Sequence, residues 1–263
     1  MIKFKKSLGQ NFLTDKNIIK KITSLETVKG KYIFEIGPGE GSLTNYLIEK
    51  KPKKIILVEK DTQLVESLKN KYAFDEVVEI FNDDILDFNV EKIINQNTII
   101  FGNLPYNISS QILVKFIKFK QWPPKYNKLI FMFQKEVADK IMAKVNTKNY
   151  GRLSIIANWR LKVVKRINIS RNCFYPIPKV DSSILVFKPK DNKAIKIKDI
   201  NNLEKITHVF FSGKRKMINK SFAKIFKDFA KISKKLKIDL SLRPGQLQES
   251  DYYKIVEHFE TKK

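Results

Sequence analysis

The chain of 263 residues has few of the side chains that build disulfides and soft-metal sites. Its single cysteine, Cys173, allows no internal disulfide. Its two histidines, His208 and His258, lie far apart with no cysteine or histidine beside them, which speaks against a His/Cys metal centre. No apolar run approaches the roughly 18 residues of a membrane-crossing helix. The opening "MIKFKKSLGQNFL" carries charge but no apolar core, so it does not read as a signal peptide. A cytosolic protein is expected, or one in an organelle derived from a cytosol-like compartment. Acidic residues are also scarce: 27 Asp and Glu stand against 52 Lys and Arg, for a net charge of +25. That excess predicts a polyanionic partner, nucleic acid or a membrane surface. Coding bias in an AT-rich genome is the competing explanation, since Lys, Ile and Asn are abundant together. Bias does not place charges in clusters, however.

What is present is enough apolar residue, 43%, for a large domain and a small one. From about Lys29 to Phe187, short apolar runs alternate with longer helix-like stretches. "KYIFEIG", "KIILVEKD", "VVEIFNDDI", "NTIIFGN" and "NKLIFMF" read as strands, with helices such as "GSLTNYLIEK" and "DTQLVESLKNKYA" between them. Near-continuous apolar strands alternating with helices predict a doubly wound, mostly parallel α/β sheet covered on both faces. "SIIANWRLKVVKRI" and "SSILVFKPK" suggest further strands near a sheet edge, and "NKAIKIKDI" a linker. From about Asn201 the pattern is helical and strongly basic. The expected division is 1–190 for the α/β domain and 191–263 for a small all-helical one.

"FEIGPGEGSL" follows the first sheet strand and opens a helix, with Gly37, Gly39 and Gly41 spaced G-x-G-x-G. Such glycines let backbone approach a ligand, and the helix N-terminus attracts negative charge. A dinucleotide fingerprint needs its third glycine where this chain has Ser42, so NAD is disfavoured. With Glu35 ahead of it, the loop resembles that of S-adenosylmethionine (SAM) dependent methyltransferases. A glycine turn with no ligand is the plainer alternative. Glu59 ends the next strand, where a carboxylate can accept both hydroxyls of a ribose. Asp84 follows the third strand and can accept from an adenine amino group; Asp83 competes for that role.

"FGNLPYNIS" ends a buried strand on an amide, a proline and an aromatic ring, at the edge where open α/β sheets bind ligands. The amino group of adenine is a poor nucleophile because its lone pair is delocalised into the ring. Two acceptors that hold its two N–H groups pull the nitrogen towards a tetrahedral shape. The side-chain oxygen of Asn103 is one candidate, and a backbone carbonyl at Leu104-Pro105 the other. Pro105 adds no competing donor. Tyr106 can stack on the base, worth roughly 1–3 kcal/mol. Catalysis would then come from positioning and oriented dipoles without a general base. The target base must leave its stack to reach such a pocket. Of Phe174 and Tyr175 in "RNCFYPIPKVDSSI", Phe174 is the favoured cover for its second face, and core packing of Phe174 is the alternative.

Together these motifs resemble the KsgA-type ribosomal RNA adenine N6-dimethyltransferases over nearly the whole chain. "KSLGQNFL" is similar to the family's N-terminal motif, which implies SAM contacts from Asn11 and Leu13. "EIGPGEGSLT", "VEKD", "NDDIL" and "GNLPYNIS" carry the family's SAM and catalytic positions over to Gly37, Glu59, Asp84 and Asn103. "FQKEVADKI", "YGRLS", "FYPIPKVDSS", "SGKRKMINKSF" and "SLRPGQL" look like further family motifs. The resemblance implies a Rossmann-like SAM-dependent fold that uses no metal. It also implies dimethylation of two adjacent adenosines in a hairpin loop near the 3′ end of small-subunit rRNA, and a role in small-subunit maturation. The proline loop and C-terminal segment favour this family over the erythromycin-resistance methyltransferases, which modify large-subunit RNA. DNA adenine and protein glutamine methyltransferases use related Asn-Pro-Pro-Tyr sequences, and Leu104 departs from them. An assembly factor whose binding outweighs its catalysis is the reading from another class. Lys214, Arg215, Lys216 and Lys220, followed by Lys224 and Lys227, are then an expected RNA-backbone surface. A solvated helix face is the alternative. Neutralising some six phosphates gives a slope of log K against log salt near about −4 to −5. The chain is expected to act as a monomer.

Overall fold

A computed structural model describes residues 11–191 and 195–261. The first part of the "KSLGQNFL" motif therefore lies outside the described residues. The chain forms two compact units, 1–138 with 163–189 and 139–162 with 190–263.

The first unit is built on a seven-stranded sheet. Its strands are β2 (Tyr32–Ile36), β3 (Lys54–Glu59), β4 (Val78–Asn82), β5 (Thr98–Asn103), β6 (Tyr126–Gln134), β7 (Leu161–Ile169) and β9 (Ser182–Pro189). A separate short ladder pairs β1 (Phe12–Leu13) antiparallel with β8 (Phe174–Tyr175). The sheet order is β4-β3-β2-β5-β6-β9-β7. The first five are parallel, and β9 runs antiparallel to β6. The near-continuous apolar strands have the reason anticipated from sequence, since both faces are buried. Ile33, Ile55, Leu57, Ile99, Phe101, Ile130 and Met132 share one core with Ile19 and Ile22 of α1 (Lys16–Thr23) and Leu43 and Leu47 of α2 (Ser42–Ile48). The alternate residues Phe34, Ile56, Ile100 and Phe131 are equally buried on the other face. There Phe116 of α5 (Ser109–Ile117) sits edge-on to Phe131, centroids 5.5 Å apart. Polar caps start the helices: Asp15 accepts from the Asn17 and Ile18 N–H groups, and Asp61 from the Gln63 N–H at the start of α3 (Thr62–Lys71).

The second unit packs α7 (Arg152–Arg160), α8 (Ile200–Phe211), α9 (Asn219–Ile225), α10 (Phe229–Leu236) and α11 (Glu249–Thr261). Its core is aromatic. Phe210 lies 5.5 Å from Tyr252 and 5.9 Å from Phe222, centroid to centroid. The buried hydroxyls are satisfied: Tyr252 donates to the Pro244 carbonyl and Tyr150 to that of Leu247.

Three expectations change here. Residues 139–162 cluster with the C-terminal unit, so the division does not follow the single cut at 190. The "SIIANWR" half of the expected strand is helix α7. Ile155, Ile156, Ala157 and Trp159 are all buried, so an apolar run with no clear period served a buried helix as well as it would a strand. Finally, α8 ends at Phe211 and α9 starts at Asn219, so Lys214, Arg215 and Lys216 lie on a turn and not on a helix face.

Candidate active site

The parallel strands β4, β3, β2 and β5 lie side by side, and their carboxyl ends carry Asp83 and Asp84, Glu59, Gly37 and Asn103 in that order. Chain order reverses between β2 and β5, where open sheets form their ligand crevice. A cavity of about 310 Å³ lies there. Asn11, Leu13, Gly37, Gly39, Glu59, Asp84, Asn103, Leu104, Pro105 and Tyr106 all line it, as do Glu35, Lys60 and Asp83.

Gly37 and Gly39 have φ of +61° and +60°, a backbone that L side chains resist. A Cβ on Gly39 would fall 2.6 Å from the Phe12 ring, so the segment before α1 closes over a loop that only glycine permits. Glu59 is buried and its oxygens accept from the Gly39 and Asp61 N–H groups at 3.2 and 3.0 Å. Each oxygen keeps a second lone pair for a ligand hydroxyl. Burial raises the Glu59 pKa against the backbone N–H groups of Asp61, Gly39 and Lys60. Glu35 is more deeply buried. Desolvation lifts it from 4.5 to about 7, opposed by the Thr44 hydroxyl at 2.7 Å and reinforced by Glu59.

Asp84 is partly buried and held at both oxygens, by the Leu86 N–H at 2.9 Å and the Lys60 ammonium at 2.7 Å. Burial, the largest single influence, opposes its ionisation, but the bonds from Lys60 and the Leu86 N–H and the charges of Lys60 and Lys115 together outweigh it, and its pKa falls. Asp83 is exposed; one of its oxygens accepts from the Asp84 N–H. Of the two, Asp84 is the fixed acceptor.

Asn103 donates through Nδ2 to the Asn11 carbonyl at 2.9 Å. A carbonyl can only accept, so this bond fixes the amide and leaves Oδ1 as the acceptor. The next turn is shaped from below. Leu104 is buried, and a Cβ on Gly102 would meet its Cδ2 at 2.5 Å. The Pro105 carbonyl accepts from the Ile108 N–H at 3.2 Å, which leaves the Leu104 carbonyl as the candidate second acceptor. The Tyr106 hydroxyl is 2.7 Å from Ser182 Oγ, and burial raises its pKa against that bond.

Phe174 does not stand over this cavity. It is 2% exposed and belongs to the core shared by the sheet and α1. Its β8 neighbour Tyr175 points outward, because successive strand residues face opposite ways. Core packing, the alternative reading of Phe174, describes this conformation.

Sequence reasoning gave no role to Phe12, Lys60 or Ser182. Lys60 follows Glu59 directly, so a cation next to a strand-end acid was a usable signal. Phe12 and Ser182 meet their partners Gly39 and Tyr106 only through the fold. In the second unit, Lys214, Arg215, Lys216 and Lys220 are all exposed, and Lys214 donates to the Lys148 carbonyl at 2.7 Å.

Among the described residues, the cavity lining sets four carboxyl groups, Glu35, Glu59, Asp83 and Asp84, against the one ammonium of Lys60. That balance repels a pyrophosphate and suits a cationic donor bearing hydroxyl and amino groups, which SAM is. Among the described residues, no group of three or more His, Cys, Asp and Glu could hold a metal ion, and no helix is long and apolar enough to cross a membrane.

A family model described as "Ribosomal RNA adenine dimethylase" matches residues 1–261. The chain is 48% identical over 259 residues to "Ribosomal RNA small subunit methyltransferase A" of Pelagibacter ubique, covering 98% of each. It is 39% identical to the protein of that name from Mycoplasma mobile, covering 96% of each. A dimethyladenosine transferase from Plasmodium falciparum superposes with a TM-score of 0.77 at 25% identity, covering 95% of this chain and 98% of that one. The 23S rRNA methyltransferase ErmE shares the fold, with a TM-score of 0.66 at 21% identity over 95% of this chain and 99% of that one.

Proposed function

The chain belongs to the ribosomal RNA adenine dimethylase family, and on that premise we propose that it transfers methyl groups from SAM to N6 of two adjacent adenosines in a hairpin loop near the 3′ end of small-subunit rRNA. It acts as a monomer in the cytoplasm, on the immature small subunit, and the modification serves maturation of that particle.

The observation that carries this reading is the oriented amide of Asn103. With Nδ2 committed to Asn11, Oδ1 is left to accept one N–H of an extruded adenine. The Leu104 carbonyl accepts the other. Two acceptors localise the lone pair on N6, and Tyr106, steadied by Ser182, stacks on the base. SAM supplies the electrophilic methyl group when bound. Asn11, Leu13, Gly37 and Gly39 hold its amino-acid end, Glu59 its ribose, and Asp84 its adenine. The methylated nitrogen is cationic and sheds its proton to water, so no side-chain base is needed. Rate enhancement comes from orientation and fixed dipoles. Removing Phe174 from the base-stacking role leaves this scheme intact, since Tyr106 alone gives the base one face. Lys214, Arg215, Lys216 and Lys220 hold RNA phosphates; as mostly point charges they give salt-sensitive binding more than geometric fit.

The test is positional. Small subunits lacking the modification are incubated with enzyme and SAM, their RNA is digested, and the fragments are sequenced by mass spectrometry. Two neighbouring dimethyladenosines within one 3′-terminal hairpin are expected. Methylation at scattered or single adenosines refutes the assignment.

A further inference from the structure

Large apolar side chains are exposed at seven positions among the described residues, and three of these, Tyr175, Ile177 and Val180, fall within six consecutive residues. Their exposures are 59%, 62% and 43%. Scattered exposed hydrophobics need no explanation, but a concentration of them marks a contact surface. This one is a held loop. At its start, Tyr175 pairs in register with Phe12, the residue packed on Gly39 at the cavity. At its end, Ser182 Oγ meets the Tyr106 hydroxyl at 2.7 Å. Between them, Asp181 accepts from the Arg171 N–H at 3.0 Å through its side chain and from the Lys135 N–H at 2.9 Å through its carbonyl. Arg171 also donates to the Lys179 carbonyl at 3.3 Å. The backbone is braced against the catalytic pocket on two sides, while the apolar side chains face solvent.

Accepting the adenine methyltransferase reading, on which this inference rests, we propose that the loop from Tyr175 to Ser182 receives the nucleotide next to the extruded adenine. Extruding a base leaves its neighbour with one bare face, and single-stranded RNA bases are held by stacking on rings and apolar side chains. Tyr175 and Ile177 form the platform. The exposed cations Arg171 and Lys179 lie in the same segment and suit the adjoining phosphates. The apolar side chains alone would suit a protein partner too; cations beside them, on a rim tied to both Phe12 and Tyr106, favour a nucleotide. Ser182 joins the two surfaces, so loss of the neighbour's contact is felt at Tyr106.

The test compares Tyr175→Ala with Ile177→Ser in one variant, the conservative Tyr175→Phe, and Phe74→Ser as a control. Phe74 is fully exposed elsewhere and equally apolar. All should fold and bind SAM like the parent. KM for unmodified small subunits should rise roughly 5- to 150-fold in the double variant, the span that loss of one stacked base gives, and stay near the parent in the other two. A hairpin oligonucleotide with 2-aminopurine beside the target adenine should be quenched by the parent and by Tyr175→Phe but not by the double variant. Equal KM values in the double variant and the Phe74 control overturn the proposal. A rise in KM on subunits with unaltered 2-aminopurine quenching also overturns it and assigns the loop to a protein contact. Failure of the parent itself to methylate adenine rejects the underlying reading instead.

Discussion

Replacing Asn103 by alanine isolates the step on which the chemistry depends. The bond from Nδ2 to the Asn11 carbonyl commits the donor half of the amide, so what remains for the substrate is one oriented acceptor. Loss of one preorganised polar group of this kind costs about 2.7–4 kcal/mol in the transition state. At about 1.4 kcal/mol per decade, that is a roughly 10²–10³-fold fall in the methyl-transfer rate. Single-turnover measurement, with enzyme and SAM in excess over small subunits, reads that rate directly. Subunit affinity should change little, because Asn103 supplies no phosphate contact. Asn103→Asp separates the two halves of the amide. It keeps an acceptor but leaves the Asn11 carbonyl without its donor, a loss of about 1–3 kcal/mol that falls on the segment covering the SAM loop. It should retain more of the single-turnover rate than the alanine variant and lose more SAM affinity. An Asn103→Ala enzyme that turns over within threefold of the parent refutes the assignment of Oδ1.

Gly39→Ala forces an alanine to φ +60° and its Cβ against the Phe12 ring, so strain of about 1–2 kcal/mol should weaken SAM binding roughly tenfold by calorimetry without altering RNA affinity. Unchanged SAM binding would count against the closure of Phe12 over the loop. Glu35 has a folded pKa raised from 4.5 to about 7, so its contribution to stability is fully present below about pH 4.5 and lost as pH rises through about 7. Melting temperature should therefore fall between pH 5 and 8 by more in the parent than in Glu35→Gln, with an upper bound of about 3 kcal/mol in the difference. Parallel pH profiles contradict this. Neutralising Lys214, Arg215, Lys216 and Lys220 together should reduce the slope of log K against log salt by about 3. An unchanged slope places the phosphate contacts elsewhere.

Much of this was readable from the chain because parallel strands buried on both faces must be apolar throughout. β2, β3, β5 and β6 each stood out as such a run, and the edge strand β4, only partly buried, as a weaker one. The cavity was readable for a related reason: the fold puts strand ends side by side, so an acid or amide closing each run marks one site. The tightness of the G-x-G-x-G spacing separated this loop from a dinucleotide loop before any geometry was known. Where reading failed, the deciding interaction joined distant parts of the chain. Buried helix α7 and a buried strand present equally apolar sequences, and packing in the second unit chose between them. Phe174 and Tyr175 differ by one residue of strand register, fixed by pairing with Phe12 and Leu13 some 160 positions earlier. No local signal carries that register. The bond from Asn103 to the Asn11 carbonyl and that between Ser182 and Tyr106 are hidden for the same reason.

The most direct test of the account is the chemical identity and location of the product. Purified protein is incubated with labelled SAM and, in parallel, with unmodified small subunits, large subunits and DNA, and the labelled nucleoside is identified by mass spectrometry. N6,N6-dimethyladenosine in small-subunit RNA alone is expected. Label in large-subunit RNA or DNA, or tight binding to small subunits with no methyl transfer, would contradict it.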